Sequence, residues 1–212
     1  MQGAIDPIVL DHLCQVSDEP LILRYENETV RVECNGCPSC LSGWKAPIPP
    51  AVFAGYDREK IPEIVSQYLR TISQHAINGF CPYCNGRMES TVRAYDARDV
   101  DPVSAADRSE DADDRFHDHP EVQFDCQRCI IEATLAVDHA LLLAEPAVTN
   151  FYYENGILLQ DCLIWEFSEL NLDNVEIEHR KPIRVAVTFR IDESALTVVV
   201  NETFDVKVTD EI

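Results

Sequence analysis

Four cysteines in two pairs carry the most specific chemistry in this chain: Cys81-Pro82-Tyr83-Cys84 and Cys126-Gln127-Arg128-Cys129, with 41 residues between them. A two-residue spacer lets both sulfurs of a Cys-x-x-Cys pair reach one ion, so two such pairs offer a closed tetrahedral set of four thiolates. Zinc suits that set, because its d electrons impose no geometry of their own. The pattern predicts a zinc ribbon with Cys81, Cys84, Cys126 and Cys129 as ligands. Ordinary buried or redox-active cysteines are the competing reading, and a single Cys-x-x-Cys would not separate the two; the second pair favours the metal.

A ribbon needs a hairpin to bring its knuckles together. Met88 to Ala94 and Glu121 to Asp125 read as its strands. Residues 96–121 between them hold ten acidic residues and three arginines with almost no large apolar side chain. Nothing there offsets the entropy of ordering, so the stretch reads as a flexible acidic loop at the hairpin tip. His117 and His119 within it are of metal-binding type, but two histidines in a solvated acidic loop are more often not ligands.

The same layout occurs earlier in the chain. Cys14 is followed by Leu21 to Glu26, a polar Asn27-Glu28-Thr29 turn, Val30 to Glu33 and then Cys34-Asn35-Gly36-Cys37. This predicts an internal duplication of ribbons, with Cys14, Cys34 and Cys37 as candidate ligands of a first, weaker site. Three residues after Cys14 stands Ser17, and a serine hydroxyl is a poor zinc ligand. Cys40, Asp18 or His12 would have to complete the shell, or the hairpin persists without an ion.

Elements that position these knuckles follow from periodicity and breakers. Met1 to Leu13 offers no complete helix. Trp44 to Pro50, with three prolines, reads as an extended connector. Ile61, Ile64, Val65, Tyr68, Leu69 and Ile72 form the stripe of an amphipathic helix over 61–76, stopped by Asn78-Gly79 immediately before Phe80 and Cys81. That stripe suits core packing, or a partner helix at a dimer interface. Leu135 to Ala144 reads as a short apolar helix and Pro146 to Gly156 as another. Strand signals close the chain at Val175 to Glu178, Ile183 to Ile191, Ala195 to Val200 and Phe204 to Val208, with one buried face under those helices. The expected fold class is α+β, with two zinc-ribbon-like β-hairpin units, intervening helices and a C-terminal antiparallel sheet. Its segments are a first, degenerate ribbon (1–45), a Pro-rich connector and helix (46–79), a second ribbon (80–133), and a helical hairpin plus β-meander (134–212).

Composition narrows the function. The formal charge is −21, from 38 acidic and 17 basic residues, and only four of the latter are Lys. At about 1 M ionic strength the Debye length is about 3 Å, so such self-repulsion is screened, and the balance reads as adaptation to molar salt. There is no basic stripe for phosphate contacts. No apolar run approaches the ~20 residues that cross a bilayer, and the first residues lack the pattern of a signal peptide. The expectation is a soluble, cytoplasmic protein that does not engage the membrane. Nine cysteines, an odd total in metal-type pairs, favour reduced thiols over a disulfide framework.

The order of motifs resembles the C-terminal region of haloarchaeal winged helix-turn-helix transcriptional regulators often labelled ArsR-like. The matching strings are Ala46-Pro47-Ile48-Pro49-Pro50, Gly79-Phe80-Cys81-Pro82-Tyr83-Cys84, Pro146-Ala147-Val148-Thr149-Asn150-Phe151-Tyr152 and Trp165-Glu166. The family usually has a ligand Cys where Ser17 stands. The DNA-reading winged helix that precedes this region in the family is missing from the sequence, which reads as a fragment, a late-start product or a free-standing paralogue. The resemblance implies a non-catalytic zinc-binding regulatory module, the sensor or interaction part of a transcriptional regulator. Its partner is expected to be another protein or a second copy, with a small-molecule ligand as a further option.

An interaction adaptor without ligand sensing is the second class of function. A thiol-redox protein is the third, although its Cys-x-x-Cys lacks the βαβ context. No Gly-rich phosphate loop, His-Glu-x-x-His or Gly-x-Ser-x-Gly element supports an enzyme. The absent recognition helix gives a direct prediction: this chain alone does not retard duplex DNA selectively in mobility-shift titrations at several salt concentrations. Sequence-selective retardation would show that a ribbon or the 61–76 helix reads DNA.

Overall fold

Apolar alternation marks several of the strands, those over Pro20–Glu26, Thr29–Cys34 and Ile183–Ile191 among them, but not all. The computed structural model describes residues 5–14, 17–36, 44–94, 119–167, 170 and 174–211. Among them are eleven strands in three antiparallel sheets, with three α-helices, an α+β fold that ends in an antiparallel sheet. The chain divides into two compact units, Met1–Thr71 with Leu163–Glu169, and Ile72–Cys162 with Leu170–Ile212.

In the first unit, β1 (Ile5–Leu13), β2 (Pro20–Glu26), β3 (Thr29–Cys34) and β4 (Trp44–Pro47) pair in that order. Leu21, Leu23 and Tyr25 of β2 and Val30 and Val32 of β3 are buried, the period-2 face expected of this hairpin. The strand β1 was not legible in the sequence, since Ile5-Asp6-Pro7-Ile8-Val9 does not alternate. It pairs with β2 through two register irregularities, on the sheet edge where Pro7 needs no donor. The strand β4 corrects the connector expected over 44–50. Pro47 lies opposite Thr29 on the other edge of the sheet, so its missing N–H interrupts no ladder on its outer side. Beyond it, Tyr25 Oη donates to Ile48 O at 2.8 Å and Tyr25 meets Phe53 edge to face at 4.7 Å.

Helix α1 (Ile61–Ile77) runs one residue beyond its expected end, and the division between the units falls within it. Ile61, Val65, Leu69 and Ala76 are buried along one stripe, as periodicity predicts. In the first unit Ser66 Oγ accepts from Ile164 N at 2.8 Å. In the second, the helix ends in a Schellman motif: Phe80 N donates to His75 O, Gly79 N to Ala76 O, and Gly79 has φ +83°. Met88 N then donates to Gly79 O at 2.9 Å, which ties the helix end to the start of the next sheet.

That sheet has β5 (Met88–Arg93), β6 (Glu121–Cys126) and β7 (Glu132–Ala136) in sequence order. Most of the expected acidic loop, 95–118 with His117, lies outside the described residues. The third strand corrects the helix expected from Leu135. Leu135 and Ala136 still pair with Val122 and Glu121, and helix α2 (Val137–Ala144) begins one residue later. Helix α3 (Pro146–Glu154) follows with Pro at its first position, and its Ala147 N–H is capped by the Glu145 carboxylate at 3.2 Å. The meander expected at the end is present as β8 (Val175–Arg180), β9 (Ile183–Ile191), β10 (Ser194–Asn201) and β11 (Val206–Glu211). Val185, Val187 and Phe189 of β9 are fully buried, and Tyr152 of α3 packs edge to face on Phe189 at 6.0 Å. The β10–β11 turn holds the four-cysteine sheet: Val92 N donates to Glu202 O at 2.8 Å and Ser90 Oγ to Thr203 O at 3.1 Å.

Gly79 is the residue on which the delivery of α1 into this sheet turns. A Cβ there meets only Met88 O at 3.9 Å, so substitution carries a conformational cost and no steric one. Gly79→Ala is expected to destabilise the protein by about 1–2 kcal/mol, the cost of the left-handed region for an L-residue. Chemical denaturation followed by far-UV circular dichroism checks it, with Gly79→Asn losing less.

Candidate metal centre

The Schellman turn delivers Cys81 to one end of the β5–β6 hairpin, and the hairpin register places Cys126 opposite Met88. Each knuckle then folds back on itself in the same way. Cys81 N donates to Gly86 O at 2.8 Å, and Cys126 N donates to Ile131 O at 3.1 Å, each spanning five residues. Asn85 N donates to Cys81 O while Asn85 takes φ +55°, a conformation that its short polar side chain tolerates. A further bond, Gln127 N to Arg87 O at 2.9 Å, fastens one knuckle to the other.

As a result Cys81, Cys84, Cys126 and Cys129 place their four sulfurs within 4.8 Å of one another. Cys81 Sγ is 3.7 Å from Cys129 Sγ and Cys84 Sγ is 3.5 Å from Cys126 Sγ. These separations far exceed the ~2.05 Å of a disulfide. They match the edge, about 3.8 Å, of a tetrahedron whose corners lie ~2.3 Å from a central ion, the usual zinc–thiolate bond. The four residues are therefore capable of holding one metal ion, and the donor set is all sulfur. Cys81 is buried and the other three are half-buried.

Backbone amides prepare the sulfurs for negative charge. Gly86 N points at Cys84 Sγ (3.4 Å), and Arg128 N and Cys129 N point at Cys126 Sγ (3.4 and 3.3 Å). The Cys129 amide, followed by that of Arg128, pulls the Cys126 thiol down to about 6. At Cys129 the Ile131 amide favours the thiolate, but Cys126, burial, Cys84 and Cys81 together push the thiol up to about 12. Cys84 is also raised on balance: the Gly86 amide lowers it, while burial and the Cys126 and Cys81 sulfurs outweigh that. Crowded sulfurs ionise one at a time unless a cation neutralises them.

Two residues at this site were not singled out from the sequence. Gly86 sits against the second knuckle, where an added Cβ would lie 2.8 Å from Arg128 Cβ and 3.1 Å from Cys84 Sγ. Arg128 reaches back to donate from Nη1 to Cys84 O at 3.3 Å. The Asn85-Gly86 dipeptide is a turn signal, but only the folded chain reveals that Gly86 is required for knuckle approach.

The first set of cysteines is described in part. Cys14 and Cys34 are buried, whereas Cys37 and Cys40 lie outside the described residues. Ser17 Oγ lies 3.6 Å from Cys34 Sγ. Of the other candidates for a fourth ligand, His12 has its Nε2 2.6 Å from Glu166 Oε1 while its buried Nδ1 has no hydrogen-bond partner, and Asp18 is exposed. His119 belongs to no metal-capable group among the described residues, and neither does Cys162, whose Sγ lies 3.7 Å from Leu158 O.

The fold and the site together define an α+β protein built around a four-cysteine metal-binding geometry. The chain belongs to the family described as a domain of unknown function (DUF7351), whose model matches residues 11–206. No curated protein and no solved structure matches it. Among the described residues no helix is long and apolar enough to cross a membrane.

Gly86→Ala is expected to force the knuckles apart by a few tenths of an ångström or more and to weaken metal retention, while far-UV circular dichroism changes little. Chelator competition on the purified variant measures this; retention equal to the unmodified protein would show that Arg128 yields freely.

Proposed function

We propose that the chain is a zinc-stabilised, non-catalytic regulatory module that acts through a protein partner or a second copy of itself. The observation that carries this reading is the set of four sulfurs within 4.8 Å of one another, with Cys81–Cys129 at 3.7 Å and Cys84–Cys126 at 3.5 Å across the two knuckles. A catalytic zinc keeps a coordination position for water or substrate, and four protein thiolates around one ion leave none. The ion's contribution is then to folding. It joins two knuckles whose strands are far apart in sequence, and its binding free energy becomes folding free energy.

The regulatory assignment draws on the resemblance of the motif string to haloarchaeal regulators, and the charge of −21 suits a protein working in molar salt. The interaction reading has an observation of its own. Phe80, Tyr83 and Ile130, which flank or lie within the knuckles, are 58%, 42% and 97% exposed, an unusual display of large apolar side chains around a metal site.

Elemental analysis beside native mass is expected to find one tightly held zinc at the four sulfurs, released as the pH falls, because protons compete for the thiolates. Cys81→Ser and Cys126→Ser should each lose it and unfold the β5–β7 sheet. Zinc-free protein, or a disulfide between these cysteines, would overturn the metal assignment. For regulation, cells of the native host carrying Cys81→Ser should reproduce the transcript changes of a deletion strain; a wild-type transcript profile in both would remove the regulatory role.

A further inference from the structure

The first hairpin unit shares several features of the knuckle geometry of the second. Cys14 N donates to Glu19 O at 2.7 Å, as Cys81 N does to Gly86 O at 2.8 Å. Asp18 N donates to Cys14 O at 2.8 Å, as Asn85 N does to Cys81 O at 2.9 Å. Asp18 and Asn85 share the left-handed conformation, at φ +54° and +55°. Ser17 Oγ lies 3.6 Å from Cys34 Sγ where Cys84 Sγ lies 3.5 Å from Cys126 Sγ.

The close approach between knuckles is conserved in place, with the glycine on the opposite side. A Cβ on Gly36 would meet Glu19 Cγ at 2.9 Å and Ser17 Oγ at 2.8 Å, just as one on Gly86 would meet Arg128. Left-handed Asp18, five-residue closure and knuckle contact occur together in this loop as they do around Asn85. Ordinary packing of a hairpin requires none of them.

From this equivalence we infer that Cys14, Ser17 and Cys34 form a second metal-binding knuckle pair, with the Ser17 hydroxyl standing at a ligand position. The equivalence stands on 14, 17 and 34; Cys37, at the fourth corresponding sequence position, lies outside the described residues. The ion it takes is of the same class as that of the second ribbon, a thiophilic divalent cation such as zinc, and for that identity the inference rests on the zinc reading above. A neutral hydroxyl binds such an ion far less well than a thiolate and leaves that corner open to exchange with water. The two ribbons therefore divide the labour: the tetrathiolate site holds its ion permanently, and the Ser17 site fills and empties with the free metal concentration. That gives the regulatory module its signal.

Zinc titration of the full chain against a colorimetric chelator, under reducing conditions, tests this. The expected result is two classes of site, the second weaker by at least about tenfold. Cys14→Ser and Cys34→Ser should abolish the weaker class and leave the tighter one, Cys81→Ser should remove the tighter one, and Ser17→Cys should bring the weaker site to within about tenfold of the tighter. A weaker class that survives both Cys→Ser changes, or a stoichiometry of one ion that Ser17→Cys does not raise, overturns the inference while leaving the second ribbon's zinc intact. Cys14 is fully buried, so its substitution also tests folding, and cobalt substitution of the unmodified chain gives an independent readout. A second equivalent of cobalt that adds sulfur-to-metal charge-transfer absorption supports the site, and one that adds none overturns it.

Discussion

Four sulfurs confined within 4.8 Å cannot all carry charge by themselves, and that constraint governs the second unit. Each thiolate repels the next, so the amides aimed at Cys126 favour its charge while the neighbouring sulfurs push Cys129 up. A divalent cation at the centre would relieve the conflict by attracting all four sulfurs. The Schellman turn at Gly79 and the Gln127–Arg87 bond converge on the knuckles and hold the cluster at a spacing that could accept a metal ion.

The cluster also settles how a hairpin with distant strands finds its register. Residues 94–120 separate β5 from β6, and closing a loop of that length costs on the order of 3 kcal/mol by chain statistics. A tight turn would ordinarily fix such a pairing. Here the pairing is fixed from the other end, by the knuckles, and is reinforced where Val92 and Ser90 bond to the β10–β11 turn and Phe124 meets Phe204 at 6.5 Å. The C-terminal sheet thus acts as a platform for the four-cysteine sheet, and the buried Tyr152–Phe189 contact ties the helices to the same platform.

Much of this was legible in the sequence because it is written in short-range pattern. The Cys-x-x-Cys spacing named all four members of the cluster, the i, i+3, i+4 stripe gave α1, and alternation gave β9 and β10. What escaped depends on partners distant in sequence. The strands β1 and β4 are defined by the neighbours they pair with, and their prolines at 7 and 47 are acceptable only because both strands lie on sheet edges. Leu135 and Ala136 join a strand because Val122 and Glu121 lie alongside them, while their own apolar run continues smoothly into α2. The pairing of His12 with Glu166, 154 positions away, was beyond the reach of local pattern. The role of Gly86 was equally hidden, since its dipeptide with Asn85 announces a turn but says nothing about Arg128.

The opposite placement of the two glycines bears on how freely the halves of such a protein can be interchanged. Each ribbon tolerates one side chain where its knuckles touch: Arg128 against Gly86, Glu19 against Gly36. Recombination that moved the Cys81–Gly86 loop into the first ribbon would leave two glycines facing one another and a loose joint. The reciprocal exchange would set Glu19 against Arg128 in a space built for one of them. An exchange of knuckle loops between the two hairpin units would therefore loosen one and crowd the other, so each pair of knuckles works only as a matched set.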